Sequence, residues 1–370
     1  MPPLSLYIHV PWCIRKCPYC DFNSHEAREG LPEAAYIDAL RGDLDAATPT
    51  VAGRTISSVF IGGGTPSLLG VAAVGRLLRG VSSWLTSVDG AEITLEANPG
   101  AIEAGKFAGF REAGVTRLSL GIQSFDDAKL KALGRIHSAD EAKRAAELAL
   151  RHFNRVNFDL MYGLPGQTLA DAQRDIETAI AFGPGHISAY HLTIEPNTAF
   201  HHAPPPELPE DDLAADMQEM VETTLAAAGY EHYETSAFAQ PGQRCRHNLN
   251  YWEFGDYLGI GAGAHSKVSG RREARPRSPK DYLADPVSRH WQAIARDDLA
   301  GEFMMNALRM VDGFDETLFK ERTGLPLAAI EPALRQAEEA GLLARANGRI
   351  APTLLGQRFL NRLLGLFLAS

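Results

Sequence analysis

Cys13-Ile14-Arg15-Lys16-Cys17-Pro18-Tyr19-Cys20 places three thiols within eight residues, spaced C-x3-C-x2-C. The run before it, Leu4-Ser5-Leu6-Tyr7-Ile8-His9-Val10, alternates as a half-buried strand does. Pro11 and Pro18, with Trp12 between them, rule out a regular helix through the cysteines. The thiols therefore fall on a tight loop at the carboxyl end of a first strand. Arg15 and Lys16 beside them are expected to lower the thiol pKa and favour the thiolate. Three clustered thiolates suit a four-iron cluster that keeps one iron for an outside ligand. A zinc site closes with four ligands and would need His9, His25 or Cys245 as well. Spacing alone leaves both readings open, together with thiols that bind nothing.

Downstream of the loop, Tyr36, Ile37, Leu40 and Leu44 fall on one helical face. Five further strands are expected over 56–61, 92–97, 117–122, 155–161 and 187–192, with helical pattern between them. Six strands alternating with helices at roughly thirty-residue intervals mean βα units and a parallel sheet. The fold class is α/β, an incomplete (β/α)6 TIM-like barrel. A rigid connector, Ala203-Pro204-Pro205-Pro206-Glu207-Leu208-Pro209, follows the sixth strand. Beyond about residue 295, helices and a turn at Asn347-Gly348 suggest a small C-terminal winged-helix-like domain. The expected organisation is a partial barrel over 1–200, a barrel extension over 201–290 and the winged-helix-like unit over 291–370.

In barrels of this kind the chemistry gathers at the carboxyl ends of the strands. The unusual residues here are in phase with those ends: the cysteines, Gly62-Gly63-Gly64, Glu96, Gln123 and Asp159. Glycines at a strand end let a ligand approach the backbone closely. They are not a phosphate loop, because no Gly-Lys-Ser/Thr follows. Glu96 and Asp159 suit an amine or the hydroxyls of a ribose, and Arg135 can pair with a carboxylate. A ligand carrying all three groups is S-adenosylmethionine.

A chain of 370 residues with 45% hydrophobic residues is long enough for a large core and about two domains. Four cysteines, three in one loop, are not a disulfide framework and fit a reducing compartment. Neither a secretory signal nor a membrane-spanning run is legible, so the expected location is the cytoplasm. A formal net charge of -10 argues against nucleic acid as a partner.

The three cysteines with Gly62-Gly63-Gly64-Thr65-Pro66 resemble the radical S-adenosylmethionine superfamily. Glu96-Ala97-Asn98-Pro99, Ser119 to Phe125 and Asp159 to Thr168 extend the likeness to the oxygen-independent coproporphyrinogen III oxidase group. The resemblance implies a [4Fe–4S] cluster on Cys13, Cys17 and Cys20. It implies S-adenosylmethionine contacts at Tyr7, Gly63, Gly64, Thr65, Glu96, Gln123, Arg135 and Asp159, with Tyr19 near the adenine and Thr193 against it. Two features depart from the oxidase: Phe22 stands where it has a fourth cysteine, and the first strand begins near Leu4 with no long arm before it. Both look like the HemW heme chaperones, as does His247-Asn248-Leu249-Asn250-Tyr251-Trp252, that family's H-N-x-x-Y-W element.

The resemblance thus implies heme as a third ligand, held by His247, Tyr251 and Trp252, with Cys245 as a rival axial ligand. It implies a carrier rather than an oxidase, passing heme to apo-hemoproteins such as those of the respiratory chain. On the residues alone, His247 reads first as a loop imidazole bonded to backbone, with Tyr251 and Trp252 in the core, and the resemblance reverses that order. The 245–252 segment is expected to lie outside the six-strand core. The sequence leaves open whether S-adenosylmethionine is cleaved, whether the chain dimerises, and whether it meets a membrane.

Overall fold

The computed structural model of the chain describes residues 1–28 and 30–368. Six strands lie side by side in chain order: Leu4–Val10, Ile56–Gly63, Ser87–Ala97, Arg117–Gln123, Val156–Tyr162 and His186–His191. Every neighbouring pair is parallel. The helices Glu33–Ala47, Val71–Trp84, Phe107–Glu112, Ala139–His152 and Leu169–Phe182 make the crossovers. Ser138 and Thr168 start two of these helices with reciprocal capping boxes. The expected partial barrel is therefore present.

Its strands carry two different faces. Leu4, Leu6, Ile8 and Val10 on the first strand, and Leu118, Leu120 and Ile122 on the fourth, are buried in the main apolar core. The alternate residues are polar and meet one another across the barrel interior. Ser5 bonds Ser58 at 2.7 Å, Ser119 donates to Asp159 at 3.0 Å, and Asn157 donates to both Ser119 and Asp159 at 2.8 Å. A period of two thus separates a scaffold face from a chemistry face on the same strands.

A seventh parallel strand, Asp256–Ile260, pairs with the free edge of Leu4–Val10. The sequence shows there only a glycine-rich run. Gly259 sits where a Cβ would lie 2.0 Å from the carbonyl oxygen of His265, so close backbone packing hides a short strand as a loop. Antiparallel strands continue both edges, to twelve strands among the described residues.

The segment 245–252 corrects an expectation. It is no loop outside the core but the helix Arg246–Trp252, packed against strands one, two and seven. Arg246 N–H donates to Glu92 at 3.0 Å, and Arg246 Nη1 to Gly90 O at 2.9 Å. Glu92 lies level with Ser58, near the amino-terminal end of the barrel. The helix therefore floors the barrel at that end. The C-terminal part has its own apolar cluster and a three-stranded sheet of Phe314–Asp315, Leu343–Ala346 and Arg349–Pro352. With the helices Glu316–Thr323 and Glu331–Glu339 this is a winged-helix-like arrangement.

One buried ion pair ties the seventh strand to the first crossover helix. Asp43 accepts from Arg275 Nε at 3.0 Å, from Tyr282 OH at 3.0 Å and from Gly261 N–H at 3.2 Å, and both charged side chains are fully buried. Asp43→Ala leaves the buried Arg275 with only Glu273, 3.1 Å from its Nη1, as counter-charge, and should cost about 3 kcal/mol in chemical denaturation. A loss below about 1 kcal/mol would mean that the pair does not anchor this edge.

Candidate functional site

The carboxyl ends of the strands open into a cavity of about 300 Å3. Its wall carries Cys13, Cys17, Cys20, Tyr19, Gly63, Gly64, Thr65, Glu96, Gln123, Arg135 and Asp159. Of the residues expected at the cofactor site, only Tyr7 and Thr193 are not on it. Tyr7 points its hydroxyl to His9 Nδ1 at 2.9 Å, beside the ring of Phe60. Thr193 is exposed on the loop after strand six and bonds the carbonyl of His191.

The cysteine loop is fixed by backbone bonds to the glycine turn. Gly64 N–H donates to Val10 O at 2.8 Å and Thr65 N–H to Trp12 O at 2.7 Å. A Cβ on Gly64 would meet Trp12 O at 2.5 Å, and one on Gly63 the His9 ring at 2.5 Å. These glycines are therefore required by the approach of strand one and its loop, not only by a ligand. Arg135 reaches across the mouth, with Nη2 donating to Asn98 Oδ1 and to Gly121 O at 2.7 Å each, and Nη1 3.6 Å from Cys17 Sγ.

The charged neighbours do not set the thiol chemistry as expected. Burial pushes the Cys13 and Cys20 thiols up, and Lys16 only partly opposes this at Cys20. Lys16 Nζ is turned away to the carbonyls of Phe22 and Ser24. Metal binding must therefore displace protons from these thiols. Among the described residues no three His, Cys, Asp or Glu groups converge to hold a single metal ion. The alternative zinc ligands are engaged elsewhere. His9 Nε2 donates to Asn23 O at 2.9 Å, and Cys245 is buried at the barrel floor beside Glu92. Three separate thiols around one cavity fit a cluster, in which each thiolate takes its own iron.

The two carboxylates face the same space. Glu96 Oε2 accepts from Gly63 N–H at 3.1 Å, and Asp159 is held by Ser119 and Asn157. Burial, with Asp159 adding to it, raises Glu96 to about 8, and burial also raises Asp159. Such a pair is poised for a cation, which would draw both groups back to the charged form. Gln123 ends strand four with φ +68°, after a register shift, and this strained turn aims its side chain into the cavity.

Asn98, Ser119, Met161 and Tyr190 also line the cavity and were not singled out in the sequence. The signal was available for Asn98, two residues past Glu96. It links Arg135 to Thr65 Oγ1, to which its Nδ2 donates at 3.1 Å.

The proposed heme residues are elsewhere. His247 is 4% exposed, stacked on Phe60 at 4.4 Å and met edge-on by Tyr251 at 4.6 Å. Trp252 lies under Arg309 and packs with Leu249 against the Tyr233 cluster. As they stand, these three side chains offer no open face to a porphyrin.

A family model for the Radical SAM superfamily matches residues 7–179, and one for the HemN C-terminal domain matches 294–359. Proteins named heme chaperone HemW match from end to end. The one from Escherichia coli K12 is 48% identical, over 100% of this chain and 99% of its own. That from Haemophilus influenzae is 45% identical over 100% and 99%, and that from Bacillus subtilis 34% over 99% of each. The chain belongs to the HemW family of radical SAM proteins. A [4Fe–4S] cluster and S-adenosylmethionine are the cofactors that go with this membership, and the cavity has the donors for both. The fold is also that of the solved coproporphyrinogen III oxidase HemN from Escherichia coli, with TM-score 0.84 and 24% identity, over 99% of this chain and 90% of that one.

Replacing Cys13, Cys17 or Cys20 by Ser should abolish the visible absorbance of the reconstituted cluster, whereas Cys245→Ala should leave iron and sulfide content unchanged. Loss of the cluster in Cys245→Ala would reveal a fourth protein ligand. Binding of a cation to the carboxylate pair releases protons below the Glu96 pKa of about 8. S-adenosylmethionine affinity should therefore climb between pH 6 and 8, by at most about tenfold per unit, and then level off. Equilibrium dialysis across that range should show the climb in the native protein and its loss in Glu96→Gln.

Proposed function

We propose that this chain is a heme chaperone, which binds heme and delivers it to apo-hemoproteins, those of the respiratory chain among them. The observation that carries this reading is end-to-end similarity at 34–48% identity to proteins bearing that name. Phe22 supports it from the site. At 59% exposure it puts an apolar ring on the cavity wall, where the oxidase resemblance would call for a fourth thiol.

When bound, the cluster and S-adenosylmethionine supply one-electron chemistry at the open iron. This chain's own part is to orient and exclude. Arg135 and Asn98 brace the cysteine loop against the glycine turn, and Gly63 N–H fixes the Glu96 carboxylate. Tyr190 and Phe22 border the mouth. We place the protein in the cytoplasm, where a reducing environment keeps Cys13, Cys17 and Cys20 available to the cluster and Cys245 out of disulfides. No helix among the described residues is long and apolar enough to cross a membrane. We further propose that delivery to respiratory apoproteins involves transient membrane contact, to be read by liposome flotation. Sedimentation of the holoprotein decides between monomer and dimer.

His247 is proposed as heme ligand only in a form where the helix Arg246–Trp252 has left the barrel floor. His247→Phe keeps a ring against Phe60 and removes the ligand atom. It should weaken heme binding and change the heme spectrum with the cluster intact. An unaltered spectrum would place the ligand elsewhere, with Cys245, His265 and His191 to be replaced next.

The decisive experiment uses one anaerobically reconstituted sample for two assays: heme transfer to an apo-hemoprotein and coproporphyrinogen III decarboxylation. Transfer without turnover is expected. Turnover at an enzymatic rate without transfer would overturn the carrier reading in favour of an oxidase.

A further inference from the structure

Beneath the cofactor cavity the barrel holds a cation that no sequence motif singles out. Arg117 is the first residue of strand four, two before Ser119, and so projects inward on the same face. It pairs in register with Thr94, as Ser119 pairs with Glu96 and with Asn157, which puts it one layer below Glu96 and two below Asp159. It is 3% exposed, and the floor carboxylate Glu92 forms its ion pair with Arg155 rather than with it. The other cations of the region are committed. Arg135 is bonded at the mouth to Asn98 and Gly121, and Arg155 is 3.0 Å from Glu92 at the floor.

Glu96 and Asp159, by contrast, are held only by neutral donors: Gly63 N–H for one, Ser119 and Asn157 for the other. Two carboxylates in a closed interior with no cation would take up protons and lose their hold on a cationic ligand. We propose that Arg117 is the positioning residue of the S-adenosylmethionine site, the buried counter-charge that favours the ionised form of Glu96 and Asp159 without touching the ligand.

The surroundings on every side agree with that place. From strands three and five, Glu92 and Asp159 stabilise the guanidinium charge, and from the floor Cys245 and Tyr233 do the same. Arg117 in turn opposes the rise at Glu96 and at Asp159. It also disfavours protonation of the two imidazoles that face it, His186 on strand six and His247 on the floor helix. These therefore remain neutral and do not share its task. This inference rests on family membership and the cavity, not on the heme reading, so either can fail alone.

The test is S-adenosylmethionine binding to cluster-loaded protein as a function of pH, by equilibrium dialysis. Arg117→Met should bind about tenfold more weakly at pH 7 and recover most of that by pH 9.5, the midpoint of the profile having moved up by about one unit. Arg117→Lys should keep the native midpoint. The infrared band of neutral carboxyl groups at pH 7 should grow in Arg117→Met and vanish again when Glu96→Gln and Asp159→Asn are added. Should Arg117→Met fail to fold, Arg117→Gln serves for the same comparison. A loss of affinity by the same factor at every pH, or a Lys variant no better than Met, would make Arg117 merely structural and overturn the proposal.

Discussion

The site depends on a backbone seam two hydrogen bonds long. Gly64 N–H to Val10 O and Thr65 N–H to Trp12 O join the end of strand two to the start of the cysteine loop. Because Gly63 and Gly64 have no side chains, the loop's backbone and the His9 ring can lie directly against that turn. The same turn then spends the Gly63 N–H on Glu96. One close approach thus sets the position of three thiols relative to a carboxylate from another strand. Bulk at either glycine would part the two halves of the cavity.

The rest of the barrel serves that arrangement by dividing its strands into two faces. Outward residues give the helices an apolar surface, and inward ones pair with one another, Ser5 with Ser58 on strands one and two, and Ser119, Asn157 and Asp159 on strands four and five. Burying so many polar groups needs both partners and a closed floor. The helix Arg246–Trp252 provides the floor, and it satisfies Glu92 as it does so. Its aromatic residues are engaged in packing, His247 on Phe60, Tyr251 on His247 and Trp252 by the Tyr233 cluster. An element that the resemblance implies as heme ligand is, in this conformation, the floor of the barrel beneath the cofactor cavity.

Charge placement follows from the same closure. Carboxylates that would be ionised in water are raised toward neutrality by burial, so each charge inside is meaningful. Lys16 illustrates the opposite case. Next to the cysteines in sequence, it turns to the carbonyls of Phe22 and Ser24, and burial outweighs it at Cys20.

Much of this was legible before folding. Strand and helix periods, the cysteine spacing and the phase of Glu96, Gln123 and Asp159 with strand ends are local patterns, and local patterns survive in a linear string. They were enough for the partial barrel, the winged-helix-like end and most of the cavity wall. What the chain could not disclose is what depends on contacts far apart in sequence. The strand Asp256–Ile260 belongs to the barrel only because Leu4–Val10 has a free edge. Segment 245–252 is a floor only because Glu92, more than a hundred and fifty positions earlier, receives it. Tyr7 turns from the cavity because His9 takes its hydroxyl, and Arg117 acquires its role from a register with Thr94 that no single strand specifies. Sequence determined which side chains were available at each strand end. Tertiary structure decided which faced one another, because burial and pairing are properties of the closed barrel and not of any segment of it.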